Sequence, residues 1–209
     1  MPKESIIILA RWKEKKKKEL GEENFNTYVA KMKSLGQRAH EAIQSAIMHS
    51  DKAQTLDSEV EGYYNSVKYL LDVISSVVET EKDCFHPLLQ YKGRFDAVIC
   101  LNKSDPVLVD WKTVHEPKRV TTIERAYEAP LQLAAYVGAY NLTRPEGSPE
   151  IRKALLAYCY ADGYPADRIV LQEEDLSKFW AQWLERLNIF HNQIKQTVKP
   201  KKVDAGSEN

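Results

Sequence analysis

The sequence predicts an α/β fold with an αβββαβ core, a mixed β-sheet and additional helices at both ends. Two observations indicate this class. Apolar residues recur at helical spacing before residue 80 and after residue 175, whereas the part between contains short apolar runs bounded by turn residues. A helical segment of small apolar residues separates these runs into two groups, as in folds that place helices against a sheet.

Three helices are predicted before the sheet. Residues 5–20 form the first, which ends at Gly21, and residues 23–49 form the second. The third runs from about Ser58 to Val78. In the last two, apolar side chains recur three or four positions apart, so each helix presents one face to a core.

Four strands and two more helices follow. The strands are rich in Val, Ile, Leu and Tyr and are predicted at Leu88–Leu101, Pro106–Thr113, Ala154–Ala161 and Arg168–Gln172. The helices are predicted from Pro130 to about Asn141 and at about 175–198. We expect a single domain over 1–198, with a helical part at 4–80, a core at 81–172 and a final helix at 175–198. Residues 199–209 are expected to be a disordered tail.

The composition excludes several classes of protein. The 209 residues carry 30 basic and 30 acidic side chains, so no net charge draws the chain toward nucleic acid. No apolar run approaches the roughly 18 residues that span a membrane. The cysteines, Cys84, Cys100 and Cys159, form no CxxC pair, which disfavours a structural zinc site and favours a reducing compartment.

Two aspartates and a lysine in the first two predicted strands indicate chemistry. Side chains of a strand alternate between faces, so Asp110 and Lys112 point together while Trp111 points away. Asp96 interrupts an apolar run, where a carboxylate is costly unless it pairs or binds a cation. The alternatives are an ion pair with Arg94 or a strand-end position for Asp96, and a solvent-exposed strand end for the other two.

The hairpin that joins these strands provides a geometric test. A strict four-residue turn at 102–105 would place Asp96 opposite Trp111, on the wrong face to meet Asp110. A shared site therefore requires a bulge or an odd-length connection, and we predict one.

The charges suggest how such a site would act. Asp96 and Asp110 would ligate Mg²⁺ or Mn²⁺ with oxygen, and the main-chain carbonyl of Trp111 would complete the shell. The metal would polarise a phosphodiester and lower the pKa of its water. Lys112 would orient that water or stabilise the developing negative charge.

Other polar residues allow two interpretations each. Gln132 and Tyr136 lie one turn apart on a helix of small residues, either beside Lys112 or along an amphipathic edge. His40 follows Gly36 by one turn, but a lone helical histidine is more often an ordinary surface or core residue. Glu79 and Glu81 are either solvated or include an outer-sphere partner of the metal.

Four motifs in order resemble the RecB-like branch of the PD-(D/E)xK nucleases. They are G-x-x-x-H-E at Gly36–Glu41, G-R-h-D at Gly93–Asp96, D-x-K at Asp110–Lys112 and Q-x-x-x-Y at Gln132–Tyr136. The resemblance implies a restriction-endonuclease-like fold. It implies catalytic roles for Asp96, Asp110 and Lys112, a metal ligand in His40, and an active-site wall of Gln132 and Tyr136.

Within that branch the chain resembles the mitochondrial genome maintenance exonucleases, over roughly residues 4–195. Similar segments include Glu4–Gly21, Asp110–Thr113, Pro130–Ala139 and the helix with Trp180 and Trp183. The family implies a Mg²⁺- or Mn²⁺-dependent exonuclease for single-stranded and flap DNA in mitochondrial replication and repair. Family chains extend further toward the N-terminus and carry a targeting segment there, so we expect a fragment or trimmed chain.

Two further observations bear on the family pattern. Arg94 fits the general RecB-like motif but differs from the apolar residue typical of vertebrate members, which suggests a more distant homologue. Some RecB-like nucleases carry an iron–sulfur cluster on four cysteines, and the three scattered cysteines here argue against one.

Single-stranded DNA would be held by basic and aromatic side chains together. The basic candidates are Lys118, Arg119 and Arg125, and the candidate for base stacking is Tyr127, with Tyr140 and Trp180 as further possibilities. We expect a monomer with no membrane partner. The alternatives are a structure-specific endonuclease of the same fold, a single-strand DNA-binding protein with a vestigial site, and a helical scaffold without chemistry.

Overall fold

A computed structural model describes residues 3–49, 56–115 and 118–197. Within these residues, five α-helices and five strands occur in the order α1, α2, α3, β1, β2, β3, α4, β4, β5 and α5. The helices are α1 (Lys3–Leu20), α2 (Glu22–Met48), α3 (Ser58–Leu71), α4 (Ala129–Thr143) and α5 (Glu173–Thr197). The strands are β1 (Ile74–His86), β2 (Tyr91–Leu101), β3 (Val107–Val114), β4 (Ala154–Tyr160) and β5 (Asp167–Leu171). The expected tail at 199–209 lies outside the described residues.

The strands form one mixed sheet in the order β1-β2-β3-β4-β5. Neighbouring strands are antiparallel except β3 and β4, which are parallel and joined through α4. Parallel neighbours need such a crossover, because a tight turn cannot return the chain to the same end of the sheet. The predicted α/β class and αβββαβ core are confirmed, with β5 added at one edge.

Helices cover both faces of the sheet. Leu133 and Val137 of α4 pack into one core with Leu156 of β4. On the opposite face, Ile43 of α2 and Val67 of α3 pack on the other side of the sheet. The interior strand β4 is buried along its whole length, as expected of a strand covered on both faces.

The third helix is shorter than predicted. It begins after Asp57, whose side chain accepts a hydrogen bond from Glu59 N at 2.9 Å, and it ends at Leu71 instead of Val78. The residues that follow enter β1, an edge strand that the sequence analysis missed. Ile74 and Val77 continue the apolar spacing of α3, so their periodicity could not distinguish helix from strand.

None of the described helices is long and apolar enough to cross a membrane.

Candidate active site

The β2–β3 hairpin has the odd-length connection that the site required. Ala97 pairs with Val109 and Ile99 pairs with Val107. Continued in both directions, this register places Asp96 opposite Asp110 and leaves the three residues 102–104 at the tip. Asn102 and Lys103 have φ angles of 50° and 59° there, and Ser104 N donates to Leu101 O at 2.9 Å. The predicted departure from a four-residue turn is therefore confirmed.

The two strands of this hairpin separate at the predicted catalytic residues. Their pairing ends at Ala97 and Val109. Below that pair, β2 is bonded to β1 alone and β3 continues along β4 as far as Val114. We call this separation the fork. It opens a gap in the sheet where polar side chains can approach one another.

Asp96 lies where the side-chain alternation of β2 breaks. Phe95 belongs to the core under α4, whereas Ala97, two residues later, belongs to the core on the opposite face. Strict alternation would place both on one face. The Asp96 carboxylate fills the fork, and its Oδ2 accepts a hydrogen bond from Trp111 N at 2.6 Å. The Asp96 carboxylate thus accepts the hydrogen bond from Trp111 N that a main-chain carbonyl would accept if the two strands were paired here.

Three groups converge on the α2 side of the fork. His40, Glu81 and Asp96 each offer a ligand atom, and these atoms lie within 4.8 Å of one another. His40 Nδ1 is 3.3 Å from Asp96 Oδ1. Burial lowers the pKa of His40, but the hydrogen bond to Asp96 and the negative charge of Asp96 outweigh burial and raise it overall. The cluster attracts positive charge.

Glu81 is the site residue whose position the sequence analysis did not resolve. The sequence allows Glu81 to be either solvated or an outer-sphere partner, because no pattern in it reveals β1. Its neighbours Thr80 and Lys82 pair with Ala97 and Phe95, so Glu81 lies across from Asp96. Its φ of 47° is unusual for a residue other than glycine. The signal that could have identified Glu81 is an acidic residue on an edge strand that pairs with the G-R-h-D strand.

Asp110 and Lys112 lie together on the α4 side of the fork. Leu108 of the same strand face packs in the α4 core and Trp111 packs in the opposite core, as the alternation predicted. Asp110 is 5% exposed, and its Oδ2 lies 2.5 Å from Lys112 Nζ. Burial raises the pKa of Asp110, Lys112 opposes that rise and Asp96 adds to it. In this structure Asp110 pairs with lysine and does not join the cluster of His40, Glu81 and Asp96.

A chain of hydrogen bonds links Lys112 to helix α4. Lys112 Nζ donates to Gln132 Oε1 at 2.9 Å, and Gln132 Nε2 donates to Tyr136 OH at 2.7 Å. Burial raises the pKa of Tyr136 to about 12, so its hydroxyl stays protonated. Gly93 makes room for this arrangement, since a Cβ there would lie 2.3 Å from Tyr136 Cε1. The structure brings both α4 residues to Lys112, in the position predicted for an active-site wall.

A groove leads from Lys112 toward helices α1 and α2. It has a volume of about 500 Å³ and also contacts Lys118, Arg125 and Tyr127. Its remaining charged and aromatic lining residues are Trp12, Lys13, Tyr28, His115 and Tyr158. Lys118 Nζ lies 3.2 Å from Tyr127 OH, and the Tyr127 ring is 60% exposed. Three of the four residues predicted to bind DNA therefore share this groove.

Arg119 lies elsewhere. Its guanidinium carbon is 4.1 Å from the ring centre of Tyr160 and 3.7 Å from that of Tyr164, and its NH2 is 3.1 Å from Asp162 Oδ2. It is not among the residues that line the groove. Its stacked and ion-paired position suits a structural role.

Two further candidates for base stacking pack against other side chains of the protein, Tyr140 fully and Trp180 in part. Tyr140 is 4% exposed and meets the Phe95 ring edge-on at 5.7 Å. Trp180 packs so closely on Gly138 that a Cβ at that glycine would lie 2.3 Å from the indole, and it stacks on His86. The expectation that Tyr140 stacks on bases was wrong, because its ring is buried. Stacking of a base on the partly buried Trp180 stays a prediction.

The chain is similar to curated proteins named mitochondrial genome maintenance exonuclease 1. It is 33% identical to the mouse protein over 201 residues and 33% identical to the human protein over 189 residues. Identity to the Xenopus tropicalis protein is 32% over 200 residues. These alignments cover 96%, 90% and 95% of this chain. The resemblance inferred from the motifs is confirmed over these aligned regions.

The chain spans little more than half the length of these relatives, namely 58%, 54% and 56%. No family model matches it. Among solved structures, a Eubacterium rectale protein described as a candidate exonuclease superposes with a TM-score of 0.50, covering 83% of this chain and 72% of that one. The sequence identity is 11%, so this likeness concerns the fold alone.

Proposed function

We propose that the chain is a metal-dependent exonuclease that hydrolyses single-stranded DNA, including free and flap ends, in mitochondrial DNA replication and repair. One observation carries the proposal: the fork brings a cation-attracting cluster on its α2 side together with a lysine on its α4 side. The similarity to proteins named as mitochondrial exonucleases supports the reaction class and the location. We also propose that it acts as a monomer.

The donors at the fork fit Mg²⁺ or Mn²⁺. Carboxylate oxygens from Glu81 and Asp96 suit both ions, and the imidazole of His40 suits the softer Mn²⁺ better than Mg²⁺. Asp110 and the Trp111 carbonyl remain predicted ligands, because Asp110 lies across the fork and is paired with Lys112. A bound cation would supply charge stabilisation at the phosphate and a more acidic water.

The side chains of the chain itself account for positioning. Lys112 Nζ lies between the Asp110 carboxylate and Gln132 Oε1, so its charge is held in place. A preorganised charge of this kind stabilises the negative charge that develops on an attacked phosphate. Tyr136 fixes Gln132 in turn, which keeps the lysine from turning into solvent.

The groove beside Lys112 suits a single strand of DNA. Basic side chains can follow a phosphate backbone while exposed rings stack on unpaired bases. Lys118, Arg125 and Tyr127 line the groove together with Lys112, so a strand lying there would reach the fork. These contacts do not read base sequence, which agrees with an exonuclease of low sequence preference.

The test uses 5′-labelled and 3′-labelled single-stranded oligonucleotides, with duplex controls, in Mn²⁺ or in EDTA. We expect metal-dependent shortening of single strands by the wild-type protein. Lys112→Ala should reduce the rate by about 10²- to 10³-fold because it removes one preorganised charge. Asp110→Asn should abolish cleavage while it spares DNA binding. Lys68→Ala, an exposed lysine on α3, is the matched control and should cleave normally.

Substrate form separates the proposal from its alternatives. A circular single strand has no end, so an exonuclease leaves it intact and a structure-specific endonuclease cuts it. Tight single-strand binding without metal-dependent cleavage would instead establish a binding protein with a vestigial site. Normal cleavage by Asp110→Asn would refute the site assignment.

A further inference from the structure

We propose that Arg94 is a positioning residue that sets the affinity of the fork for its cation by orienting the carboxylate of Glu81. The inference rests on the cation site of the proposed function and adds a residue outside that site.

The contacts of Arg94 point toward the cluster. Its Nε donates to Glu81 Oε2 at 2.9 Å, and its NH1 lies 3.5 Å from Asp83 Oδ1. Asp83 is the residue directly paired with Arg94 across the β1–β2 ladder. The guanidinium thus bridges two carboxylates of β1, one of which belongs to the cluster.

The two ends of this contact differ in exposure. The Arg94 side chain is 57% exposed, whereas the Glu81 side chain is 20% exposed and lies within reach of His40 and Asp96. A glutamate side chain has three rotatable bonds, so the carboxylate of Glu81 needs a further contact to keep one orientation. Because Arg94 binds Oε2, it holds the carboxylate in place and leaves Oε1 as the atom for a cation. Hydrogen bonds that hold metal ligands in this way typically change metal affinity by about 10- to 100-fold.

The sign of the effect separates positioning from simple electrostatics. Arg94 carries a positive charge close to a site for a cation, so its charge alone opposes binding. Removing it would therefore tighten cation binding if charge were its only influence. If Arg94 orients Glu81, removing it weakens binding instead. The two explanations predict opposite changes in Kd.

The experiment measures the Kd for Mn²⁺ by isothermal titration calorimetry, without DNA. We expect Arg94→Leu to raise the Kd by at least about tenfold, and Arg94→Lys, which keeps a charged donor, to recover part of that loss. Arg152→Leu is the matched control, because Arg152 is 65% exposed and its NH2 lies 3.1 Å from Glu150 Oε2. It removes the same charge from a similar ion pair and should leave the Kd unchanged or slightly lower.

A double-variant cycle tests whether Arg94 acts through Glu81. Glu81→Gln should also raise the Kd, and adding Arg94→Leu to it should cause little further loss, since the orienting contact is already gone. Full additivity of the two losses would overturn the inference, as would a Kd for Arg94→Leu equal to or below that of the wild type.

The same titration keeps the two proposals apart. If the wild-type protein bound no Mn²⁺, the cation site of the proposed function would fail, and this inference with it. Wild-type binding that Arg94→Leu does not weaken would refute only the role of Arg94. Thermal unfolding of the metal-free variants provides a check on folding, and an exposed side chain such as Arg94 should change stability little.

Discussion

The two ends of the β2–β3 hairpin differ in their neighbours. Near the tip, Val98 and Ile99 of β2 are bonded to strands on both sides, and every residue from 97 to 99 is fully buried. Beyond Ala97 the same strand has only β1 beside it. The paired end is apolar, whereas the separated end carries Asp96 and a broken side-chain alternation.

Other elements replace the missing strand at the separated end. Tyr91 OH donates to Ala135 O of α4 at 2.7 Å, and the Tyr91 ring meets Trp183 of α5 edge-on at 5.1 Å. Helices thereby support a two-stranded ribbon that would be marginal alone. A sheet can therefore accommodate charged groups at its centre where two strands separate and helices pack in place of the missing neighbour.

The largest expected effect is a loss of cleavage rate, and it concerns Asp96 at the separated end of the hairpin. Asp96→Asn keeps the shape of the side chain and an oxygen for Trp111 N, but it removes the negative charge beside His40. We expect cleavage of single-stranded DNA to fall by about 10³-fold or more, with little change in thermal stability. Rates and thermal unfolding measured on one preparation check this. Wild-type cleavage by Asp96→Asn would show that the fork is not the active site.

The paired end should respond in the opposite way. Ile99 is fully buried between the strands and the α2–α3 helices, so Ile99→Ala leaves a cavity. We expect a loss of about 2–5 kcal/mol in the free energy of unfolding, measured in urea. Cleavage per folded molecule should be retained at low temperature, because Ile99 belongs to the paired end. A loss of activity as large as that of Asp96→Asn, in fully folded protein, would contradict the division between the two ends.

Site residues could be placed from the sequence where the alternation of side chains along one strand determines which of them lie together. Asp110 and Lys112 could be paired from strand alternation alone, and the odd-length connection followed from requiring Asp96 to meet Asp110. Glu81 could not be placed in the same way. It lies on an edge strand whose side chains are exposed or half-buried along most of its length, so no alternation of buried and exposed positions marks β1 as a strand.

Tertiary packing separates residues that look alike in the sequence. Arg119 and Arg125 are both basic residues in a segment without periodicity, yet one is held between two tyrosines and the other lines the groove. Tyr160 and Tyr164 come from a distant part of the chain, so no local pattern could reveal this difference. The same limit explains Trp180, whose partner Gly138 lies on another helix.

Gly93 allows a direct test of how α4 replaces the missing strand. A Cβ at this position would lie 2.3 Å from the Tyr136 ring, so Gly93→Ala must displace that ring. We expect a loss of about 1–3 kcal/mol in stability and slower cleavage, because Tyr136 holds Gln132 and thereby Lys112. In a Tyr136→Ala background the glycine substitution should cost far less, which a double-mutant cycle measures. Equal losses of stability from Gly93→Ala in both backgrounds would show that Gly93 is not needed to make room for the Tyr136 ring.

The smallest expected effect concerns pH and the far end of the ribbon. His86 is 7% exposed, stacks between Tyr91 and Trp180, and accepts a hydrogen bond from Leu89 N at its Nδ1. Burial lowers its pKa, so the folded state holds the neutral ring. Below about pH 6.5 the unfolded chain binds a proton that the folded chain resists, and stability therefore falls as pH decreases.

His86→Phe isolates this contribution, because it keeps an aromatic ring in the stack and removes the titrating group. Urea unfolding between pH 5 and 8 should show a steeper loss of stability at low pH for the wild type than for the variant. Each unit by which the folded pKa is depressed corresponds to about 1.4 kcal/mol at most. His40, whose pKa is raised, contributes with the opposite sign in both proteins and cancels in the difference. Identical pH profiles for the two proteins would show that the burial of His86 makes no contribution to the pH dependence of stability.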